Sequence, residues 1–341
     1  MDVLDAAIML AKILVVFVVV LTTMAYLTYF ERKVLARMQS RLGPNRTGPY
    51  GLLQPLADGL KLLTKEPNLP ASADKFVFFL APVLVLVPAL MVWAVIPFGP
   101  AFTAFGRQIV LSITDINVGL LYVLAMGSLG VYGIVMAGWS SNNKYAALGG
   151  LRSSAQLISY EATLGISLVG ALLMAGSLNL RDIVEAQQGT ILGFIPKWFI
   201  LPQILGFTLY LTSAIAETNR APFDLPEAET ELVAGFHTEY SGFQFAMFFL
   251  GEYINMLAVS AIASTVFLGG WLGPNIPFLP AVIEGPIWFA VKMAIFIFFY
   301  VWLRATLPRF KYDQLMRLCW KVMLPLALAN ILITAAIKLA F

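Results

Sequence analysis

The sequence predicts an all-α, polytopic membrane protein: one membrane domain over residues 1–341, with about eight transmembrane helices and one amphipathic surface helix. Three observations carry this prediction. Of 341 residues, 60% are hydrophobic and 12% charged, where soluble domains carry about 25% charged residues. Apolar runs near the ~20 residues a helix needs to cross a bilayer recur along the whole chain. Between the first two of them, residues 51–66 place polar and apolar side chains with helical period.

The runs fall at about 6–29, 76–96, 116–139, 155–176, 198–216, 241–269, 286–307 and 316–338. The first lacks a basic leader and a small-residue cleavage site, so it is expected to remain as a span rather than act as a secretory signal. In 51–66, Leu52, Leu53, Leu56, Leu60 and Leu63 make an apolar stripe, while Gln54, Asp58, Lys61 and Lys65 recur on another face. At 1.5 Å per residue this segment is about 24 Å long, but its charged face is unsuited to lipid and it is expected along the membrane surface. Pro55 fits a first helical turn. Pro67 pushes Glu66 out of the helical region and ends the segment. The glycines between Gly127 and Gly133, and Gly165, Gly170 and Gly176, read as points of close helix contact. Neither half of the chain repeats the other, which argues against a transporter built from inverted repeats.

Orientation follows from the basic residues, which are retained on the cytoplasmic side. With eight spans, the connections at 30–75, 140–154, 217–240 and 304–321 hold 16 of the 22 Lys and Arg, against four on the opposite side. Both termini are therefore expected outside and the 217–240 loop in the cytoplasm. The basic cluster of the first connection, Arg32, Lys33, Arg37, Arg41 and Arg46, suits anionic lipid headgroups.

Several chemistries are excluded. A single cysteine, Cys319, and a single histidine, His237, leave no thiolate or imidazole cluster for zinc, haem or an iron–sulfur centre. No Gly-rich phosphate loop follows a strand pattern. A net charge of +3 with basic residues at bilayer edges does not suit nucleic acid. The Asn45-Arg46-Thr47 glycosylation pattern falls on the cytoplasmic side and reads as chance.

The acidic residues are the informative ones. Glu217, Asp224, Glu227, Glu229, Glu231 and Glu239, six of nineteen carboxylates, crowd between Ala216 and Gly242 with Arg220. Pro222 and Pro226 restrict this loop, and Arg220 is expected to partner one or two of its acids. Glu161 and Glu252 fall inside spans, at depths of about 9 and 16 Å, with Glu217 at the cytoplasmic edge. A carboxylate at mid-helix costs about 2.5–3.5 kcal/mol by insertion scales, so such residues face a bundle interior and often mark proton paths. A buried carboxylate suits that work because desolvation and like-charged neighbours raise its pKa towards neutrality. The competing reading is that Glu161 and Glu252 merely hydrogen-bond neighbouring helices. Lys292, also within a span, either pairs with a glutamate or snorkels outward. Asp115 reads as a helix cap, and His237 as a loop residue beside Glu239.

Two stretches, Gly43–Pro67 and Ala216–Gly242, with the ERK at Glu31–Lys33, the SYE ending at Glu161 and the EY at Glu252–Tyr253, resemble the H subunit (subunit 1) family of respiratory complex I, the proton-pumping NADH:quinone oxidoreductase. The resemblance covers essentially the whole chain. It implies a component of the bacterial inner membrane that joins hydrophilic quinone-site subunits to small membrane subunits and antiporter-like subunits. It implies that Arg32, Arg41, Phe223, Asp224, Glu227, Glu229 and Glu231 lie near the quinone headgroup or the wall of its chamber. Asp58, Glu161, Glu217 and Glu252 then form a carboxylate chain for protons. No cofactor is implied for this chain alone: quinone is the substrate, and the iron–sulfur clusters and flavin belong to partner subunits. The chain alone is expected neither to oxidise NADH nor to pump. The alternatives are the membrane subunit of an energy-converting hydrogenase and a free-standing ion transporter.

Overall fold

A computed structural model describes residues 3–104, 106–191, 195–225, 233–275 and 279–340. Among them, seven helices are long and apolar enough to cross a membrane: α1 (Val3–Met38), α3 (Lys75–Met91, continued by a 3-10 turn), α4 (Gly119–Ser140), α5 (Lys144–Ala175), α8 (Gly242–Phe267), α9 (Ala281–Thr306) and the run from α10 (Tyr312–Leu318) to α11 (Leu324–Ala340), joined by a π-helical turn. The remaining helices are α2 (Gln54–Thr64), α6 (Leu180–Glu185) and α7 (Ile204–Glu217). The described residues also form 3-10 turns at Pro49–Gly51 and Gly235–His237 and two small antiparallel strand pairs, β1 (Phe102–Ala104) with β2 (Arg107–Ile109) and β3 (Thr190–Ile191) with β4 (Ile195–Pro196).

Seven of the eight expected runs form helices long enough to span among the described residues, and three differ in length from expectation. The fifth apolar run becomes a helix only from Ile204; its 14 residues reach about 21 Å, short of the ~30 Å hydrocarbon core. Conversely, α1 continues past residue 29 to Met38, and its 36 residues extend about 54 Å. Nothing in the sequence before Gly43 breaks it, so Glu31, Arg32 and Lys33 sit on a continuous helix rather than in a loop. Likewise α5 starts at Lys144, where the Asn143 side chain accepts from the Tyr145 amide at 2.9 Å and satisfies a first-turn donor.

The surface helix is shorter than 51–66, running Gln54–Thr64 with Pro55 in its first turn. It ends before Glu66, in keeping with the constraint set by Pro67. None of its residues is buried, and Leu56, Leu60 and Leu63 are each more than half exposed, so its apolar stripe is presented outward as a surface helix requires.

Helix α8 is the centre of the bundle: 67% of its apolar window is buried, against 6% for α1. Small residues make this possible. A Cβ on Gly133 of α4 would come within 2.5 Å of Val85 on α3, and one on Gly251 of α8 within 2.7 Å of the same side chain. Val85 is thus held between two glycines, the close contact expected of small residues in lipid. Where the loop after residue 233 meets α3, the Tyr240 ring stacks on Phe78 with centroids 4.0 Å apart, and its hydroxyl donates to the Phe78 carbonyl at 3.2 Å. Burial pushes that hydroxyl up to about 12, with Ser140 opposing, so it stays a donor.

Candidate functional site

Two cavities flank α8. The first, of about 50 Å³, lies between α4, α5, α7 and α8 and is walled by Glu161, Glu217 and Glu252, with Thr218, Asn219 and His237 beside them. Three carboxylates from three helices therefore converge on one small space. At roughly 10–15 Å³ per water by this measure, it has room for a few waters. Ser128 hydrogen-bonds Glu161. Glu217 Oε2 is buried and has no hydrogen-bond partner among the described residues. Helix α4 approaches by its backbone: a Cβ on Gly127 would come 3.3 Å from Glu217 Oε1.

The second cavity, of about 410 Å³, opens between α1, α2 and α8. Its wall is mostly apolar, with Met24, Leu62 and Phe249, and its polar groups include Arg32, Asp58 and Tyr253. Arg32 Nη1 donates to Asp58 Oδ2 at 2.6 Å, and Gln54, one helical turn before Asp58, donates to its other oxygen at 3.1 Å. An apolar cleft with few convergent polar groups is the usual form of a small-molecule site.

A buried set of charges lies between the cavities. Tyr253, on the wall of the larger one, donates to Glu31 Oε2 at 2.7 Å. Glu31 meets Arg304 and, at 3.4 Å, Arg220 Nη1. Arg220 Nε lies 2.7 Å from Glu252 Oε1, which is on the wall of the smaller cavity. The Arg220 guanidinium also packs over the Tyr253 ring, 4.2 Å from its centroid. Burial works against its charge, but Glu252, Tyr253 and Glu31 outweigh burial and hold it protonated. Glu31 and Arg220 are buried and Glu252 is half-buried, while Arg304 reaches Glu31 from an exposed position; each buried charge thus has an opposite partner, which is what lets such groups be buried at all.

The expected residues divide between these places. Arg32 and Asp58 meet on the larger cavity, while Glu161, Glu217 and Glu252 share the smaller. Arg41 lies after α1 and donates to Gln39 at 2.8 Å. Phe223 is buried, stacked on Phe310 with centroids 5.4 Å apart, and Asp224 pairs with Arg309 at 2.8 Å. Neither Arg41, Phe223 nor Asp224 is on the wall of either cavity. Glu227, Glu229 and Glu231 lie outside the described residues.

Other expectations need correction. Among the described residues Arg220 pairs with membrane carboxylates, Glu31 and Glu252; Glu227, Glu229 and Glu231 of its own loop lie outside the described residues. Among the described residues Lys292 neither pairs with a glutamate nor snorkels; it is buried and donates to the carbonyls of Leu268, Gly270 and Leu272, holding the turn that follows α8. Asp115 does not cap α4, whose N-cap is Val118; it accepts from Asn179 at 2.6 Å. His237 stands on the smaller cavity, and Glu239 accepts from Asn143 at 2.6 Å.

Glu31, Tyr253 and Arg304 were not assigned a role from sequence. One signal was available: cations near membrane segments require counter-charges, and Glu31 is the lone acidic residue of α1 after Asp5.

This arrangement defines a polytopic helical membrane protein with buried ionisable groups beside an apolar cleft. The NADH dehydrogenase family model matches residues 11–335. The chain is 60% identical to the H subunit of NADH-quinone oxidoreductase from Thermomicrobium roseum, over 94% of this chain and 93% of that protein. It is 56% identical to the H subunit numbered 1 of the same enzyme from Geobacter metallireducens, over 97% and 96%. With the H subunit from Rhodospirillum centenum it shares 53% identity over 98% and 95%. The chain belongs to the NADH dehydrogenase family, among relatives that are H subunits of NADH-quinone oxidoreductase.

Proposed function

We propose that this chain is the membrane subunit of a proton-translocating NADH-quinone oxidoreductase that walls part of the quinone chamber and passes the effect of quinone reduction to a chain of carboxylates. The observation that carries this reading is the buried sequence Tyr253–Glu31–Arg220–Glu252 between the two cavities. The larger cavity suits a flat ring with an apolar tail: its wall is apolar, and Arg32 and Asp58 supply a donor and an acceptor at one edge.

Reduction of a quinone to a quinol takes up two electrons and two protons. The electrons come from an iron–sulfur cluster of a hydrophilic partner subunit, which itself receives them through a flavin; neither group belongs to this chain. A change of charge or protonation near Tyr253 alters the field at Glu31, whose contacts with Arg304 and Arg220 redistribute. Arg220, held charged, then favours or releases Glu252. Glu252, Glu217 and Glu161, on a shared water-sized space, hand a proton onward towards small and antiporter-like membrane subunits. Moving one charge against a potential costs about 2.3 kcal/mol per 100 mV, so the energy is that of the redox reaction and the chain alone does not pump. The protein then sits in a bacterial inner membrane, termini outside, with the 217–240 loop in the cytoplasm. In this reading the acidic loop meets the hydrophilic partners, with Phe223 packed on Phe310 and Asp224 paired with Arg309 at its base.

The test uses the assembled enzyme in vesicles with Glu217→Gln or Glu161→Gln, measuring quinone reduction and proton uptake together. Loss of proton movement in assembled enzyme supports the chain of carboxylates. Wild-type rates of both would remove these residues from the path.

A further inference from the structure

At the end of α1 opposite to Arg32, about 30 Å away along the helix, lie two further hollows that neither the quinone cleft nor the carboxylates use. One, of about 260 Å³, runs between the start of α1 and β2 and carries Asp5, Lys12 and Arg107. The other, of about 280 Å³, is an apolar groove between Ile13, Phe17 and Val20 on α1 and Val87, Leu90 and Met91 on α3. Ile113 is on the wall of both, so the two hollows adjoin and together are called the channel. Along α1 the channel follows a single face: Asp5, Met9, Lys12, Val16 and Val20 recur at steps of four or three. The charged groups occupy one end and the apolar ones the rest.

We infer that this channel binds an acidic phospholipid, its phosphate at Lys12 and Arg107 and one acyl chain in the groove between α1 and α3. Four features support that occupant over a partner helix or a neutral lipid. Lys12 Nζ donates to the Ser112 carbonyl at 3.1 Å, and an ammonium has three donors, so a phosphate oxygen can be bound without breaking that bond. Arg107, held against Asp5, supplies the planar donor fork suited to phosphate. Two cations and one carboxylate give the cleft a net charge of +1, matching a headgroup of net −1. From Lys12 to Val20 the helix rises about 12 Å, close to the ~15 Å of one hydrocarbon leaflet, so a chain entering at the ammonium lies along the groove.

The experiment uses the protein in its native membrane assembly, reconstituted with phosphatidylglycerol or phosphatidylcholine carrying a photoreactive acyl chain, the labelled peptides being mapped by mass spectrometry. The glycerol headgroup labels residues 13–20 and 87–94 about fivefold more than the choline headgroup, the ratio expected for one basic residue at a lipid surface. Lys12→Ala abolishes that preference, Lys12→Arg keeps it, and Ile13→Trp, which fills the groove from an exposed position, lowers labelling by both lipids. Equal labelling by the two headgroups, an unaltered preference in Lys12→Ala, or absence of label from both helices would overturn the assignment.

Discussion

The two cavities beside α8 differ in almost every physical respect. One is small, about 50 Å³, and carries three carboxylates; the other is about 410 Å³, largely apolar, and has its charges at one edge. A space the size of a few waters between acids can move protons but cannot hold an organic substrate. An apolar cleft can hold the substrate but has no continuous set of proton carriers. Under the proposed function, substrate and proton steps are separated in space, and what joins them crosses the packed layer containing Glu31 and Arg220.

The largest expected effect comes from breaking that layer. Arg220→Met leaves Glu31 and Glu252 without their shared cation, and removal of one partner of a buried pair costs about 3–5 kcal/mol. Assembled enzyme in membranes falls steeply, as read by blue-native gel and thermal unfolding, and Arg220→Lys restores little because a single ammonium cannot reproduce the fork. If Arg220→Met assembles and melts like wild type, the layer is not a structural joint between the cavities.

Next are the carboxylates of the smaller cavity. Glu161→Gln keeps the shape and the Ser128 contact but removes a proposed proton carrier. Assembly persists while proton translocation falls by at least about tenfold, a modest loss beside the ~100-fold at the lower end of general acid–base contributions. Vesicle acidification assays check this. Equal translocation would reduce Glu161 to a helix contact.

How much of this was legible in the sequence depends on the kind of interaction. The spans were, because hydropathy over ~20 residues reports a property of the segment itself. The start of α7 was not: Ile200 and Leu201 are apolar but belong to the turn before it, and hydropathy does not distinguish an apolar turn from a helix. Glu161, Glu217 and Glu252 could be singled out because a charge within an apolar run is conspicuous alone. The joining layer could not, since Tyr253 and Glu31 are 222 residues apart and Arg304 and Glu31 are 273 apart; only the fold brings them together. The pairing of Arg220 with Glu31, 189 residues away, was hidden for the same reason.

A smaller effect is expected for Tyr253→Phe, which removes one hydrogen bond to a carboxylate, worth about 1.5–3 kcal/mol, and keeps the ring under Arg220. Quinone reduction persists at a reduced rate and the ratio of protons to electrons drops; an unchanged ratio would exclude the hydroxyl from coupling. The smallest belongs to the edge of the larger cavity. Arg32 and Asp58 are 51% and 25% exposed, and such a pair contributes about 0.2–1 kcal/mol to stability. Asp58→Asn therefore leaves the melting temperature nearly unaltered while raising the KM for quinone a fewfold, measured against a water-soluble quinone analogue. A large loss of stability with unaltered KM would assign the pair to structure alone.

The proposed link of buried charge between the two cavities stands or falls at Glu252, which touches Arg220 and also walls the smaller cavity. The decisive quantity is the number of protons translocated per electron in vesicles holding assembled enzyme with Glu252→Gln. Continued quinone reduction is expected, with that ratio reduced at least severalfold. A wild-type ratio at a wild-type rate would contradict the link.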